Sequence, residues 1–332
     1  MKKKFLVTII CLLSLVMFST TGCTMFKQTL EPTLTEIVNS DKTYTYKNSK
    51  NKIIFDHISC KLMFKNGYSV INDGEKYGVV NTRAEYVIPA IYDYVADESD
   101  GMYACLIETV DGAKICYYND KFELAVLPRI ADFHLQSECY DYNFYEGLAL
   151  YCNPKTHKFG YIDKTGNMII PEKYEWAGAV SEGIAPVYRN GKYSFIDTTG
   201  KVKLSYNTSS AQKFSDGLAA VMINNKWGYI DKTGNWVIKP KYGSLEGGDG
   251  ELITGDFYKG YAGVYLGSGQ AYYTDIKPNQ FAIIDKKGNI IKRYDSLRQY
   301  TTEHGEMGYI VNKNGKVYLI NYCGKVMNES WY

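Results

Sequence analysis

The sequence predicts an all-β protein built from tandem three-stranded antiparallel repeats, either closed into a propeller-like ring or left as an open curved β-solenoid. Three observations predict it. The 332 residues include 32 tyrosines and 30 glycines; aromatics favour strands and frequent glycine marks turns and bulges. A six-residue segment recurs at 34-residue spacing: Lys158 to Asp163, Lys192 to Asp197, Lys226 to Asp231. A glycine also recurs three positions after the closing Asp, at Gly166, Gly200, Gly234 and Gly288.

Each copy reads as a hairpin. The stretch ahead of Asp163, Asp197, Asp231 and Asp285 is short, aromatic and β-branched. An Asp at the first turn position accepts bonds from backbone N–H groups two and more residues on. The glycine supplies positive φ for a type I turn with a G1 bulge. Ala84 and Phe122 replace that glycine, so their turns are expected to differ. A following strand such as Asn235 to Ile238 is expected to end near Pro240, which cannot donate to a ladder. A further strand precedes each hairpin, marked by a glycine and alternating apolar residues, as in Gly183-Ile-Ala-Pro-Val and Gly217-Leu-Ala-Ala-Val. Repeating this reading gives about seven units, starting near 67, 101, 147, 183, 217, 260 and 305.

The segment Lys226-Trp-Gly-Tyr-Ile-Asp-Lys-Thr-Gly-Asn-Trp-Val-Ile resembles the WG repeat, also called the KWG repeat. Ser181-Glu-Gly-Ile-Ala and Ser215-Asp-Gly-Leu-Ala resemble its accompanying strand. The resemblance covers roughly 60–330 and is strongest over 145–242. It implies a β-rich repeat fold, often in exported bacterial proteins, and no particular activity. The pairing of a large ring with a small residue, Trp227 with Gly228, is read as core packing, since a residue without a side chain admits a neighbouring strand. An aromatic ladder for a ligand is the competing reading.

The N-terminus carries a basic Lys2-Lys3-Lys4, then a run from Phe5 to Phe18 that is apolar except at Thr8 and Ser14. About 20 apolar residues span a bilayer, so this run reads as an export signal. Thr20-Thr-Gly-Cys23 resembles a bacterial lipobox, with Thr20 where an aliphatic residue is usual. The resemblance implies a lipid on Cys23 and an anchor on the outer face of a bacterial membrane; ordinary secretion is the alternative. The domain reading is a signal over 1–22, a polar tether over 23–50 and a repeat domain over 51–332.

The remaining chemistry is sparse. Lys and Arg total 38 against 36 Asp and Glu, which is not the footprint of a nucleic-acid binder. The four histidines share no metal-binding spacing, no CxxC pair occurs, and neither GxSxG nor a phosphate loop is present. No cofactor or metal is expected. Cys105 and Cys116 flank one hairpin turn, either as cross-strand neighbours open to a disulfide or as small buried residues. Glu246-Gly-Gly-Asp-Gly-Glu251 offers oxygen ligands to Ca²⁺ or is a solvated loop. Asp231 and Asp285 are 54 residues apart, so the stretch 243–279 holds an insertion, either a loop where binding residues concentrate or a plain connector of no consequence. Its candidates are Tyr258, Tyr272 and Tyr273. The functional expectation is a non-catalytic binding or scaffolding lipoprotein of the cell envelope, taking protein partners. A cell-wall glycan-binding module and an enzyme with an unrecognised site are the alternatives.

Overall fold

A computed structural model describes residues 34–110, 112–130, 142–208, 210–246, 255–267, 270–272, 277–301 and 307–328. Among them, eight antiparallel sheets of three or four strands follow one another along the chain, at 34–58, 68–92, 94–130, 148–174, 176–206, 210–242, 261–294 and 296–328. They are numbered one to eight here. Sheets two to eight are the seven expected units. Their leading strands start at Tyr68, Met102, Leu148, Ile184, Leu218, Tyr261 and Met307. Sheets three, five and six gain a fourth strand of only two residues, ahead of the leading strand. A short parallel pair, Ser244–Glu246 with Gln270–Tyr272, lies apart from these sheets.

The core is distributed between sheets rather than gathered in one place. Seven buried clusters each join one sheet to the next. Among the described residues none joins the first sheet to the eighth. Strand alternation explains this arrangement, because successive side chains point to opposite faces. In sheet six, Tyr229 packs towards sheet seven while Ile230 packs towards sheet five. Strands covered on both faces lose their polar positions, so Leu218 to Val221 are all buried.

The aromatic–small pair now has a cause. A Cβ on Gly228 would lie 2.6 Å from the carbonyl oxygen of Ile238 and 2.6 Å from the nitrogen of Pro240. Gly160 faces the same approach from Ile170, at 2.4 Å. The final strand of the unit crosses the middle strand with a bulge at this point. Pro240 sits in that bulge, and its strand runs on to Tyr242. Proline is tolerated there because the bulge leaves its missing donor unneeded.

Three expectations are corrected. Residues 34–50, expected as tether, hold the first two strands of sheet one, Leu34–Val38 and Tyr44–Asn48. This is a degenerate further repeat. Asn48 takes the place of the turn Asp and accepts the N–H groups of Lys50 and Lys52; Asn51 takes the glycine's place at φ +61. Its outer strand, Leu34–Val38, is mostly exposed and so carries little of the apolar signal of the other units. Second, the turns at Ala84 and Phe122 do not differ from the rest. Both residues adopt the left-handed conformation, at φ +64 and +62, and donate back to Asn81 and Asn119 over 2.9 Å. Hairpin register and the Asn side chains over-determine the turn. Third, the strand at Pro240 continues, as described above.

A candidate binding groove between the second and third sheets

The turn residues behave as their spacing requires. Gly166, Gly200 and Gly234 have φ of +84, +82 and +89. Asp231 accepts from the N–H of Thr233 and of Asn235 at 2.9 and 3.0 Å, and from the Thr233 hydroxyl at 2.6 Å. The Thr233 hydroxyl, with these amides, holds the Asp231 carboxyl below the usual carboxylate range. Asp163 and Asp197 repeat the pattern with Thr165 and Thr199, and Asp285 keeps the two amide bonds. Each aspartate is thus occupied by its own turn. The turn glycine also abuts the preceding sheet. A Cβ at Gly234 would meet Leu204 at 2.9 Å, and at Gly288 would meet Ile238 at 3.3 Å.

A second set of turns ties sheet to sheet. Two residues with positive φ, the second a glycine, precede the leading strands of sheets two to seven: Asn66-Gly67, Asp100-Gly101, Glu146-Gly147, Glu182-Gly183, Asp216-Gly217 and Lys259-Gly260. The acid of one sheet accepts the glycine N–H of the next. Asp100 takes Gly147 at 2.6 Å, Glu146 takes Gly183 at 2.7 Å, Glu182 takes Gly217 at 3.0 Å and Asp216 takes Gly260 at 2.5 Å. A lysine from the next sheet's hairpin turn then closes on the same acid. Lys164 reaches Asp100 at 3.1 Å, Lys232 reaches Glu182 at 3.0 Å and Lys286 reaches Asp216 at 2.8 Å. At the same three junctions an aromatic plug, three residues ahead of the glycine, meets a ring of the preceding sheet edge to face. Tyr117 meets Phe144 at 4.8 Å, Phe195 meets Phe214 at 5.1 Å and Tyr229 meets Phe257 at 4.8 Å.

The junction of sheets two and three keeps the paired positive-φ residues, at Asn66-Gly67 and Asp100-Gly101, but changes the side chains that close the other three. Glu98 stands where the plug would be, Asp120 where the lysine would be, Asn66 where the receiving acid would be, and Phe122 where the turn glycine would be. A groove of about 860 Å³ opens there. Tyr68, Tyr103 and Phe122 form its aromatic lining: Phe122 lies 4.6 Å from Tyr68 and 5.7 Å from Tyr103. Burial, then Glu98 and Asp97, push the Tyr103 hydroxyl up to about 12. Glu98 is fully engaged. One oxygen accepts the Gly101 N–H at 2.6 Å and the other pairs with Lys65 at 3.2 Å. Burial disfavours its charge, but these two partners outweigh that and hold its carboxyl below the ordinary value. Asp97 and Asp120, also on the groove, are exposed, and among the described residues their side chains make no hydrogen bond or ion pair. A bulky side chain in the left-handed region costs about 1–2 kcal/mol, so the Phe122 ring is held there against local strain.

The expected contacts of the insertion fall elsewhere. Tyr258 is half-buried, with its ring 5.5 Å from Tyr322 and the Lys259 ammonium 5.1 Å from each ring. Tyr272 has only its backbone described, paired with Glu246. Tyr273 and Cys23 lie outside the described residues, as does 247–251 of the acidic glycine-rich segment. Cys105 and Cys116 are directly opposed on neighbouring strands, both buried and both free thiols. The groove was missed because its residues are unremarkable singly; comparing the positions flanking each glycine unit by unit exposes them.

A model for the WG containing repeat matches residues 77–105, 159–193, 193–227 and 227–268. The chain is therefore a WG-repeat protein. No curated protein matches it. Similar solved structures include an uncharacterized protein from Listeria monocytogenes (13% identity, 89% of this chain and 90% of that one, TM-score 0.41). The Pan2 WD40 domain of Neurospora crassa shares 16% identity over 69% of this chain and 75% of that one, with TM-score 0.38. Hsv2 of Kluyvelomyces marxianus shares 9% identity over 84% and 96%, with TM-score 0.39.

Proposed function

We propose that this WG-repeat protein is a non-catalytic binding or scaffolding module, anchored by lipid on Cys23 at the outer face of a bacterial membrane and engaging protein partners. The observation that carries the reading is the groove between sheets two and three. Three other junctions of the array are closed by aromatic plugs and lysine bridges, whereas here Asp97 and Asp120 are exposed on a groove floored by the half-buried rings of Tyr68 and Phe122. Rigid repeat arrays present such extended surfaces to partners. The half-buried rings of Tyr68 and Phe122 at the groove also favour a second reading, a module that stacks on cell-wall sugars.

A photo-crosslinking residue at position 63, on the groove's exposed wall, tests this in whole cells. Polypeptide adducts are expected from the membrane fraction, and Cys23→Ala should move the protein out of that fraction. Adducts confined to wall polymer would favour the glycan reading. Absence of both, from a folded protein, would remove the binding proposal.

A further inference from the structure

We propose that the groove between sheets two and three binds a lysine ammonium carried by a basic, extended segment of a protein partner. The proposal rests on the binding reading above and names its ligand class. Its strongest argument is internal. At three other junctions the same place in the fold seats an ammonium group: Lys164 on Asp100, Lys232 on Glu182 and Lys286 on Asp216, all between 2.8 and 3.1 Å. At the groove the lysine's position is held by Asp120, and the acid's by Asn66, which cannot take its charge role. The junction therefore has a carboxylate, Asp120, where the others have an ammonium, and its own bridge, Lys65 to Glu98, leaves that carboxylate without a partner among the described residues.

Charge and shape agree. The groove is lined by three carboxylates, Asp97, Glu98 and Asp120, against one lysine, Lys65. Lys65 is already paired with Glu98, so the two charges left without a partner among the described residues are both negative. Aromatic faces add attraction for an organic cation that can shed water, more than for a strongly hydrated metal ion. The half-buried rings of Tyr68 and Phe122, backed by the buried Tyr103, supply those faces in one cluster. The protein already uses this contact elsewhere, with the Lys259 ammonium 5.1 Å from the Tyr258 and Tyr322 rings. The volume of about 860 Å³ exceeds what one side chain fills, which leaves room for flanking backbone of an extended segment.

The test is fluorescence anisotropy with a labelled (Lys-Ser)5 peptide and the purified protein, at physiological salt. A (Glu-Ser)5 peptide and a chitin hexasaccharide serve as the other arms. Saturable binding of the lysine peptide alone is expected. Asp97→Asn with Asp120→Asn should weaken it at least tenfold, and Phe122→Gly severalfold, with the unfolding midpoint checked for each. Glu75→Gln, an exposed acid outside the groove, should leave it unchanged. Unaltered affinity in the double variant, or no binding of the lysine peptide, overturns the proposal. So does hexasaccharide binding that Phe122→Gly abolishes, which assigns the groove to sugar. If the peptide fails while crosslinks from position 63 still yield polypeptide, the binding reading stands and only the ligand class is wrong.

Discussion

The junction between sheets five and six and the junction between sheets two and three use the same backbone for opposite ends. The first is closed on itself. Phe214 fills the space beside Phe195, Lys232 neutralises Glu182, and Gly234 lets the turn lie flat against Leu204. The second is left open by substitution at those same positions, with Glu98, Asp120 and Phe122. The difference teaches that in a repeat array the contact between units is the designable quantity. The hairpins persist because their hydrogen bonds are local, whereas the seam is set by a few side chains that touch a neighbour some 35 residues away.

The plug should show the contrast most strongly. Phe214 is fully buried, so Phe214→Ala should destabilise the protein by about 3–5 kcal/mol, as for large-to-small changes in a core. Glu98→Phe fills the groove with the residue the closed junctions carry but gives up the bonds to Gly101 and Lys65, so its net change should stay within about 2 kcal/mol. Urea midpoints at constant slope measure both. Equal losses for the two would mean that the groove is as tightly packed as the closed seam.

The turn position separates the two junctions next. Gly234→Val forces a β-branched residue to φ +89 and sets its Cβ against Leu204, so a loss of about 1–3 kcal/mol is expected. Phe122→Gly relieves strain while surrendering contact with Tyr68, so its change should stay within about 1 kcal/mol. Chemical denaturation decides the pair. A neutral Gly234→Val would show that the turn glycine is not held by the neighbouring sheet.

What the sequence revealed follows the same division. The aspartates and glycines of the turns were legible because each answers to residues within four positions. Trp227 with Gly228 was legible as packing, though not which strand it admits. The seam was not legible in that way. Phe144, Phe214 and Phe257 are plain in the sequence, but their partners lie in the preceding sheet. Sheet one escaped notice because Asn51 stands for the glycine and its outer strand faces solvent. Tyr258 drew attention as an aromatic in an insertion, yet its ring packs on Tyr322.

Acid sharpens the comparison by chemistry rather than packing. The hydroxyls of Thr199 and Thr233, with nearby amides, lower the carboxyls of Asp197 and Asp231. A carboxyl lowered in the folded state stabilises above its unfolded value, near pH 4, and that stability drains away as pH falls through the folded value. Sheets two and three hold the same turns with neutral Asn81 and Asn119. Asp197→Asn with Asp231→Asn should therefore lower stability at pH 7 and flatten the acid limb of the stability curve, the gap to the parent protein closing as pH falls from about 4 towards about 2. Thermal melts along that series check it, and an unchanged acid limb would remove the turn aspartates from the account.

The smallest expected effect comes from transplanting the bridge. Lys232 and Glu182 are both partly exposed, and pairs of this kind contribute about 0.2–1 kcal/mol. Asn66→Asp should place a carboxylate where the closed junctions have one, near Asp120, and so lower stability slightly by repulsion between like charges. Asp120→Lys alone places the ammonium with no acid at residue 66. Together the two substitutions rebuild the pair that Lys164 makes with Asp100, so the double variant should be more stable than the sum of the singles by about 0.5 kcal/mol. That coupling should shrink in high salt, because exposed charges are screened. A double-mutant cycle in urea at two salt concentrations measures it. The coupling, if found, would show that the open junction differs from the closed ones in its side chains and not in the path of its backbone. An additive cycle would mean that residues 66 and 120 do not face each other as their counterparts do, and the likeness between the two junctions would end at the turns.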